Sequence, residues 1–238
     1  MERAIPFQTP VPEHEPSADC PRCPRLVALR EALRAEYPDW WNAPVPAFGD
    51  REAWLGFVGL APGKHGANRT GRPFTGDFAG DLLFETLLNC GLARGTYRAE
   101  PDDGFELVGV AILNSVKCLP PANKPEPSEV ANCAPFYAAQ RAALPTLRVE
   151  IALGRIAHDT AVRNAGGRLS AYPFAHGAVH RLPDGMVLVD SYHCSRYNQN
   201  TGRLTPAMFE AAVRTAIAQR DALVDATASG PNSATSAS

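Results

Sequence analysis

The sequence has no long apolar run and no surplus of either charge. No apolar segment approaches the roughly 20 residues that span a bilayer, and residues 1–6 lack the apolar core of a signal peptide. Lysine plus arginine (23) nearly balances aspartate plus glutamate (25), for a formal net charge of −2. Nucleic-acid binding through net charge alone is therefore excluded, and any phosphate contact must come from a local patch. These absences predict a soluble, cytoplasmic protein that binds no membrane.

Irregular, polar composition marks both ends of the chain. Residues 1–19 are rich in proline and glutamate without periodicity, which predicts an irregular N-terminal arm. Residues 222–238 are mostly Ala, Ser, Thr, Gly and Asn, a composition that predicts a disordered tail. Residues 20–221 are then expected to form a single domain, because a chain that is 45% hydrophobic can bury a sizeable core.

Short apolar segments alternate with helical patterns through this domain. The apolar segments are continuous rather than alternating, which is typical of strands buried on both faces of a parallel sheet. The pattern predicts an α/β fold in which helices cover both faces of a mainly parallel four-stranded sheet. The predicted strands are residues 54–60, 107–113, 149–153 and 186–190, and the predicted helices are residues 26–37, 81–92, 128–144, 155–164 and 206–223.

The loops after three of these strands are long and polar, at residues 61–80, 114–132 and 191–205. In such folds ligands bind at the carboxyl ends of the strands, so function is expected there. In the third loop, His193 follows a strand end and could donate a hydrogen bond to developing negative charge. A purely structural histidine is the alternative. Two further side chains at the tip of this loop could enter or brace a nucleic-acid groove: Arg196 and Tyr197.

The first loop is glycine-rich and locally basic in a neutral protein. Its glycines allow the backbone to approach a ligand closely. It is not a P-loop, because no Ser or Thr follows its Gly63-Lys64 pair. An ordinary surface loop with turn residues is the alternative. Its basic side chains, which suit a phosphate backbone, are Lys64, Arg69 and Arg72.

Six cysteines in a chain without an export signal favour metal ligation or burial over disulfides. Cys20 and Cys23 form a C-x-x-C pair that can take two vertices of one metal or cluster site, and Cys118 and Cys133 can close it. Spacing alone permits zinc. Prolines beside the ligands and the wide scatter of the cysteines favour a [4Fe–4S] cluster. The remaining pair, Cys90 and Cys194, is expected to be buried or incidental.

Three stretches of the sequence together resemble the uracil-DNA glycosylase superfamily, and within it the iron–sulfur enzymes of family 5 (type B). They are Gly59–Gly63 with Gly71-Arg-Pro-Phe-Thr-Gly-Asp77, Asn114-Ser-Val-Lys-Cys-Leu-Pro-Pro121 and His193-Cys-Ser-Arg-Tyr-Asn198. The resemblance covers residues 18–220. It implies a three-layer α/β/α sandwich and a monomeric, monofunctional DNA glycosylase. Such an enzyme flips uracil or another deaminated base out of DNA, hydrolyses its N-glycosidic bond through an oxocarbenium-like transition state and leaves an abasic site.

The resemblance also implies roles for individual residues. Phe74 falls on the aromatic residue that stacks on the flipped base, and Asn114 on the side chain that reads the base edge. His193 falls on the residue that bonds the base oxygen, and Asp77 on the carboxylate that assists hydrolysis. Cys20, Cys23, Cys118 and Cys133 fall on the ligands of a [4Fe–4S] cluster. We further expect Gly59, Ala61 and Gly63 to contact the base, and Lys64, Arg69, Arg72, Lys117, Arg196, Tyr197 and Arg203 to bind DNA.

Two other functions remain open at this point. Family 1 enzymes carry a polar, water-activating residue just after the first strand, where this chain has Leu60 and Ala61. That difference motivates an iron–sulfur nucleic-acid-binding protein without catalysis. A zinc-stabilised, phosphohydrolase-like α/β protein is the other alternative.

Overall fold

A computed structural model describes residues 8–228 and places a six-stranded sheet at the centre of the fold. The strands are β1 (Phe48–Gly49), β2 (Leu55–Gly59), β3 (Ala93–Arg94), β4 (Glu106–Leu107), β5 (Val110–Asn114), β6 (Val149–Leu153), β7 (Val179–Arg181) and β8 (Val187–Ser191). The central sheet has the order β1-β5-β2-β6-β8-β7, and β3 pairs with β4 in a separate ribbon. The four inner strands are mutually parallel, whereas the two edge strands run antiparallel to their neighbours.

The predicted mainly parallel sheet is confirmed, and two short edge strands extend the predicted four. Every residue of β2, β5, β6 and β8 is buried, as their continuous apolar sequences require. The edge strands lack a continuous apolar run because they are so short. Strand β1 has two residues and β7 has three, of which Val179 and Arg181 are exposed.

Helices cover both faces of the sheet, which confirms the three-layer α/β/α arrangement. On one face Leu83 and Phe209 pack with Phe57 of the sheet, and on the other Tyr137 packs with Val58. Leu83 lies on α3 (Phe78–Asn89), Phe209 on α7 (Pro206–Ala228) and Tyr137 on α4 (Pro127–Ala142). The helices are α1 (Pro24–Glu36), α2 (Ala67–Thr70), α3 (Phe78–Asn89), α4 (Pro127–Ala142), α5 (Arg155–Asn164), α6 (Arg196–Asn200) and α7 (Pro206–Ala228).

The ends of the chain depart from the predicted boundaries. Helix α7 continues to Ala228, so the tail predicted from residue 222 is wrong over its first residues; alanine is the strongest helix former and extends the helix. Val11 of the predicted arm is fully buried, and a short 3-10 helix follows it. Residues 1–7 and 229–238 lie outside the described residues, and the rest of the domain division stays a prediction. Among the described helices, none is both long and apolar enough to cross a membrane.

The topology brings the three polar loops to one edge of the sheet. Strands β2, β5 and β8 are parallel members of the same sheet, so their carboxyl ends point the same way. The loops that begin at Leu60, Ser115 and Tyr192 therefore all start at the same edge of the sheet. Backbone hydrogen bonds join the first two: Ser115 and Val116 donate to the carbonyls of Gly59 and Leu60, both at 2.9 Å.

Candidate active site

A cavity of about 510 Å³ lies where these loops meet. Its wall combines apolar surface with one carboxylate, one amide and one imidazole of the sequence motifs, which suits a flat, polar-edged ligand. A second cavity of about 700 Å³ lies between α4 and α5 and contains no motif residue. The first is therefore the candidate site. It is lined by Leu60, Ala61, Pro62, Gly63, Ala67, Phe74, Asp77, Phe78, Ala79, Asn114, Asn123, His193, Ser195 and Arg196.

Phe74 lies in the wall of the cavity in a strained backbone conformation. Its φ of +56° is in the left-handed region that non-glycine residues rarely adopt. Such strain persists where the surrounding structure enforces it and clusters at functional sites. The Phe74 ring lies near-parallel to that of His193, with centroids 6.0 Å apart and planes at 27°. The first and third loops thus present two rings to one space.

Asn114 is the last residue of β5 and is almost fully buried. Gly59, beside it on β2, must lack a side chain, because a Cβ atom there would overlap Asn114 Oδ1 and lie 3.2 Å from the Phe74 ring. The predicted role of Gly59 is thus indirect: it leaves room for Asn114 and Phe74. Ala61 and Gly63 line the cavity themselves.

Asp77 caps the N-terminus of α3 and faces the glycine-rich loop. Its Oδ1 accepts a hydrogen bond from the Ala79 backbone N–H at 3.2 Å. Its Oδ2 lies 3.1 Å from where a Cβ of Gly63 would stand, and a Cβ at Gly66 would overlap the carboxylate. Burial raises the pKa of Asp77, although backbone N–H donors from Gly80 and Ala79 partly oppose this. One carboxylate oxygen is therefore anchored, and the other points into the loop.

His193 is held as a neutral imidazole. Burial lowers its pKa to about 4, so it carries no charge at neutral pH. Its backbone carbonyl accepts a hydrogen bond from the Asn198 side chain at 2.8 Å. Ser195 caps α6, and Gln199 donates to the Cys194 carbonyl at 2.7 Å, which ties the loop to the helix that follows. A neutral histidine can donate one hydrogen bond to an oxygen in the cavity.

Several predicted DNA-binding side chains do lie at the surface around the cavity. Arg196 lines it and stacks on Phe78, with its guanidinium carbon 5.0 Å from the ring centroid. Tyr197 is 70% exposed. The remaining three have local partners: Lys64 lies over the Tyr37 ring, Arg69 pairs with Glu100 at 3.6 Å, and Arg203 lies over Tyr192.

Arg72 and Lys117 are not available to DNA, so these two predictions are wrong. Arg72 is fully buried and donates to both carboxylate oxygens of Asp103, at 2.8 and 2.9 Å. Lys117 is 1% exposed, and its Nζ donates to Gln140 Oε1 at 2.6 Å. Both positive charges have internal partners far along the chain, which composition could not reveal.

We expect Arg72→Met to destabilise the fold by about 3–5 kcal/mol, because it leaves the buried Asp103 carboxylate without its counter-charge. Urea unfolding monitored by circular dichroism measures this difference. The matched variant Arg69→Met removes a partly exposed charge and should cost no more than about 1 kcal/mol. A stable Arg72→Met protein with weaker, less salt-dependent DNA binding would instead show that Arg72 contacts DNA.

The four predicted ligand cysteines meet in a separate small pocket. Cys20, Cys23, Cys118 and Cys133 all line it, and none of the four forms a disulfide. Burial and, to a smaller extent, the neighbouring Cys133 together raise the pKa of Cys118 to about 12. Cationic groups surround them: the pocket wall also includes Arg22, Arg30 and Lys117.

This pocket fits a group that accepts hydrogen bonds and carries negative charge. Arg30 is 6% exposed and donates both terminal nitrogens to the Cys20 carbonyl, yet its buried Nε has no partner among the described residues. The Lys117 backbone N–H points at Cys133 Sγ, at 3.4 Å. Thiolate-bound clusters are tuned by such donors. This set of hydrogen-bond donors is compatible with the predicted cluster. The cysteine spacing gave no indication that Arg30 lies beside the four cysteines.

Sequence motifs missed some of the cavity wall. Asn123 comes from the second loop, where it has a φ of +55°, and Phe78 comes from the first turn of α3. Neither belongs to a recognisable motif. Only the fold shows that these residues reach the same space as Asp77.

Comparison with known proteins places these features in a family. A family model described as "Uracil DNA glycosylase superfamily" matches residues 46–216. A type-5 uracil-DNA glycosylase of Thermus thermophilus is 48% identical over 197 residues, which cover 80% of this chain and 89% of that protein. A type-5 enzyme of Pyrobaculum aerophilum is 40% identical over 209 residues, 86% of this chain and 91% of the relative. A type-4 enzyme of Archaeoglobus fulgidus is 39% identical over 114 residues, about half of each chain (48% and 49%).

Proposed function

Because the chain belongs to the uracil-DNA glycosylase superfamily, we propose that it removes uracil from DNA by hydrolysing the N-glycosidic bond. The observation that carries this is the convergence of Phe74, Asp77, Asn114 and His193 on one cavity. The high identity to type-5 enzymes over most of both chains supports the same activity. The product is DNA with an abasic site, the starting point of base excision repair.

The reaction begins with extrusion of the target nucleotide. Unstacking a base costs a few kcal/mol, least for a mismatched base such as uracil opposite guanine. Stacking on the Phe74 ring returns about 1–3 kcal/mol. The side-chain amide of Asn114 carries both a donor and an acceptor, so it can pair with the O4/N3 edge of uracil and reject the opposite pattern of cytosine. The cavity thus selects the base before bond cleavage.

Bond cleavage separates charge between sugar and base. Positive character develops on the sugar, and the Asp77 carboxylate stabilises it or orients the attacking water. Negative charge develops on the departing base, and neutral His193 donates a hydrogen bond to its oxygen. Among the described residues that line the cavity none is lysine, so no amine stands ready to form a Schiff base. That supports hydrolysis alone, without strand cleavage.

Substrate range and setting follow as parts of the proposal. A cavity of about 510 Å³ is large enough for a purine, so hypoxanthine and xanthine are proposed as further substrates. We propose that the enzyme acts as a monomer on DNA in the cytoplasm, at the nucleoid. The exposed Tyr197 and the basic side chains around the cavity would contact the duplex.

The test is a panel of duplexes that differ in one base. Incubation with duplex containing uracil opposite guanine, followed by alkali, should break the labelled strand at that position. Omitting alkali should leave the strand intact. Intact strands for uracil, hypoxanthine and xanthine alike would refute the proposal. They would favour a non-catalytic iron–sulfur DNA-binding protein, which has no other support from the cavity or the relatives.

We propose that Cys20, Cys23, Cys118 and Cys133 hold a [4Fe–4S] cluster. When bound, the cluster would act as a structural crosslink. It joins the segment before α1 to the loop after β5 and to α4, the elements that carry these cysteines. No step of the hydrolysis requires electron transfer.

Cys118→Ser should remove the brown colour and most of the iron from the purified protein and lower its melting temperature, because a shared crosslink is lost. Elemental analysis of the wild type should find about four iron atoms per chain. Cys90 lies outside this pocket, so Cys90→Ser should leave the colour, the iron content and the melting temperature unchanged. Colourless wild-type protein that contains zinc would overturn the cluster assignment.

A further inference from the structure

A buried group of ionisable side chains lies behind the third loop and takes no part in the mechanism above. His158 of α5 and Asp190 of β8 are at most 1% exposed. His158 Nδ1 lies 2.7 Å from Asp190 Oδ1, and His180 Nε2 of β7 lies 3.1 Å from Asp190 Oδ2. The Ala175 backbone N–H also donates to Oδ2, at 3.2 Å. Three chain segments therefore converge on one carboxylate.

Counting protons gives the charge of His158. Its Nε2 lies 2.8 Å from the Tyr172 carbonyl, which only accepts, so Nε2 must carry a proton. Its Nδ1 faces a carboxylate, which also only accepts when ionised. Facing the Asp190 carboxylate and the Tyr172 carbonyl, His158 is then doubly protonated, and His180 Nε2 donates to the second carboxylate oxygen. Burial lowers the pKa of His158, but the hydrogen bond and charge of Asp190 outweigh it and raise the pKa.

A metal ion fits this group less well than protons do. The ligand atoms of His158, His180 and Asp190 all lie within 4.8 Å of one another. Around a tetrahedral zinc ion with bonds of about 2.0–2.1 Å, ligand atoms stand about 3.3 Å apart. The 2.7 Å between His158 and Asp190 is a charge-assisted hydrogen-bond distance instead.

Asp190 lies three residues before His193, and every position between them is held. The Ser191 carbonyl accepts from Gly154 N–H at 2.8 Å. The Tyr192 N–H donates to His176 Nδ1 at 3.2 Å, and the two rings stack at 5.0 Å. The start of the third loop, residues 190–192, is therefore held in place by these contacts. We call this arrangement the clamp, and the ion pair of His158 and Asp190 is its buried end.

We propose that His158, as an imidazolium, is a positioning residue for uracil excision: through Asp190 it holds the third loop so that His193 faces the base. This deepens the proposed function and rests on it. The hydrogen bonds and ring contacts of the His158 side chain reach no described residue that lines the cavity. It acts through the backbone between Asp190 and His193.

The pH dependence has a definite sign. A histidine with a raised pKa contributes stability fully below its ordinary pKa of about 6.5 and loses it as pH rises through the raised value. The clamp should therefore hold below the ordinary histidine pKa and loosen as pH rises through the raised pKa of His158. The other titratable or charged groups around the pair are His180 on β7, Asp159 and Arg155 on α5, and Tyr172 and His176 in the segment before β7.

Single-turnover excision from uracil duplex, alongside duplex affinity, tests the proposal. His158→Asn keeps a donor towards Asp190 but loses the charge, and we expect the rate to fall about 10- to 100-fold with unchanged affinity. His180→Gln keeps a hydrogen-bond donor towards Asp190 and should retain nearly the full rate. Equal rates for folded His158→Asn and wild type, measured well below both melting temperatures, would overturn the proposal.

Nitrogen NMR of the wild-type histidines supplies an arm that needs neither catalysis nor a folded variant. Protons on both ring nitrogens of His158 are expected below its ordinary pKa of about 6.5; an unprotonated Nδ1 there would overturn the proposal. Stoichiometric zinc in the wild type that Asp190→Asn loses would also overturn it and make this a metal site. A wild type that excises no base but shows the doubly protonated ring would instead refute the proposed function, leaving a structural ion pair.

Discussion

Asp77→Asn is expected to lower the single-turnover rate of uracil excision by about 10²- to 10⁴-fold, the usual contribution of a positioned acid–base group. Asparagine has the same shape but cannot stabilise the oxocarbenium-like sugar with a full negative charge. It caps a helix as well as aspartate does, so the bond to the Ala79 N–H and the start of α3 should survive. Duplex affinity should remain near the wild-type value.

The control for this variant is Asp81→Asn. Asp81 is an exposed acid in the first turn of the same helix, and its charge raises the pKa of Asp77. Removing it should leave the rate almost unchanged. If Asp77→Asn excised uracil at the wild-type rate, the catalytic carboxylate would have been assigned wrongly.

The pH profile of the wild type gives a second view of Asp77. Its carboxylate must be ionised to act, and burial raises its pKa above the ordinary range. The rate should therefore fall on the acid side at a higher pH than an exposed aspartate would produce. Burial lowers the pKa of His193 to about 4, so this histidine adds no step near 6.5.

His193→Ala should reduce the excision rate by about 10²- to 10³-fold, as loss of one hydrogen-bond donor to a developing anion does. The donor matters most in the transition state, where charge has moved onto the base oxygen, so duplex affinity should change little. His193→Gln retains a hydrogen-bond donor in its side-chain amide and should recover part of the rate. These ratios come from single-turnover kinetics with enzyme in excess.

His65→Gln is the matched control for His193. His65 also belongs to a loop at this edge of the sheet, but it is exposed and packs edge-on against Trp40 outside the cavity wall. A normal rate for His193→Ala would place the stabilising donor elsewhere. Equal losses for both histidine variants would point to a general disturbance of the loops.

The sequence patterns could predict which residues meet at the cavity because the sheet topology alone brings them together. Three apolar strands were recognisable from their continuous hydrophobic runs, and parallel pairing then forces the residues that follow them to one edge. Phe74, Asp77 and His193 stand in such loops and Asn114 at a strand end, so their meeting required no knowledge of side-chain contacts. The cysteines gather similarly, from a C-x-x-C pair and a loop fixed by β5.

The failures share a different cause: long-range pairing of buried charged side chains with charged or polar partners. Arg72 sits in a loop that looks basic and exposed, but its partner Asp103 lies 31 residues further on. Lys117 meets Gln140, which belongs to α4. The pairing of His158 with Asp190 was equally invisible, since each side chain alone resembles an ordinary polar residue. Periodicity reports which face of an element is apolar and carries no information on which buried charges find each other.

A crystal structure of Asp77→Asn bound to duplex with one uracil opposite guanine tests the central claim most directly, because this variant should bind without cleaving. The account predicts the uracil outside the helix, in the 510 Å³ cavity, with its ring on Phe74 and its O4/N3 edge at Asn114. Uracil still stacked in the duplex, or held at another surface with this cavity empty, would contradict it.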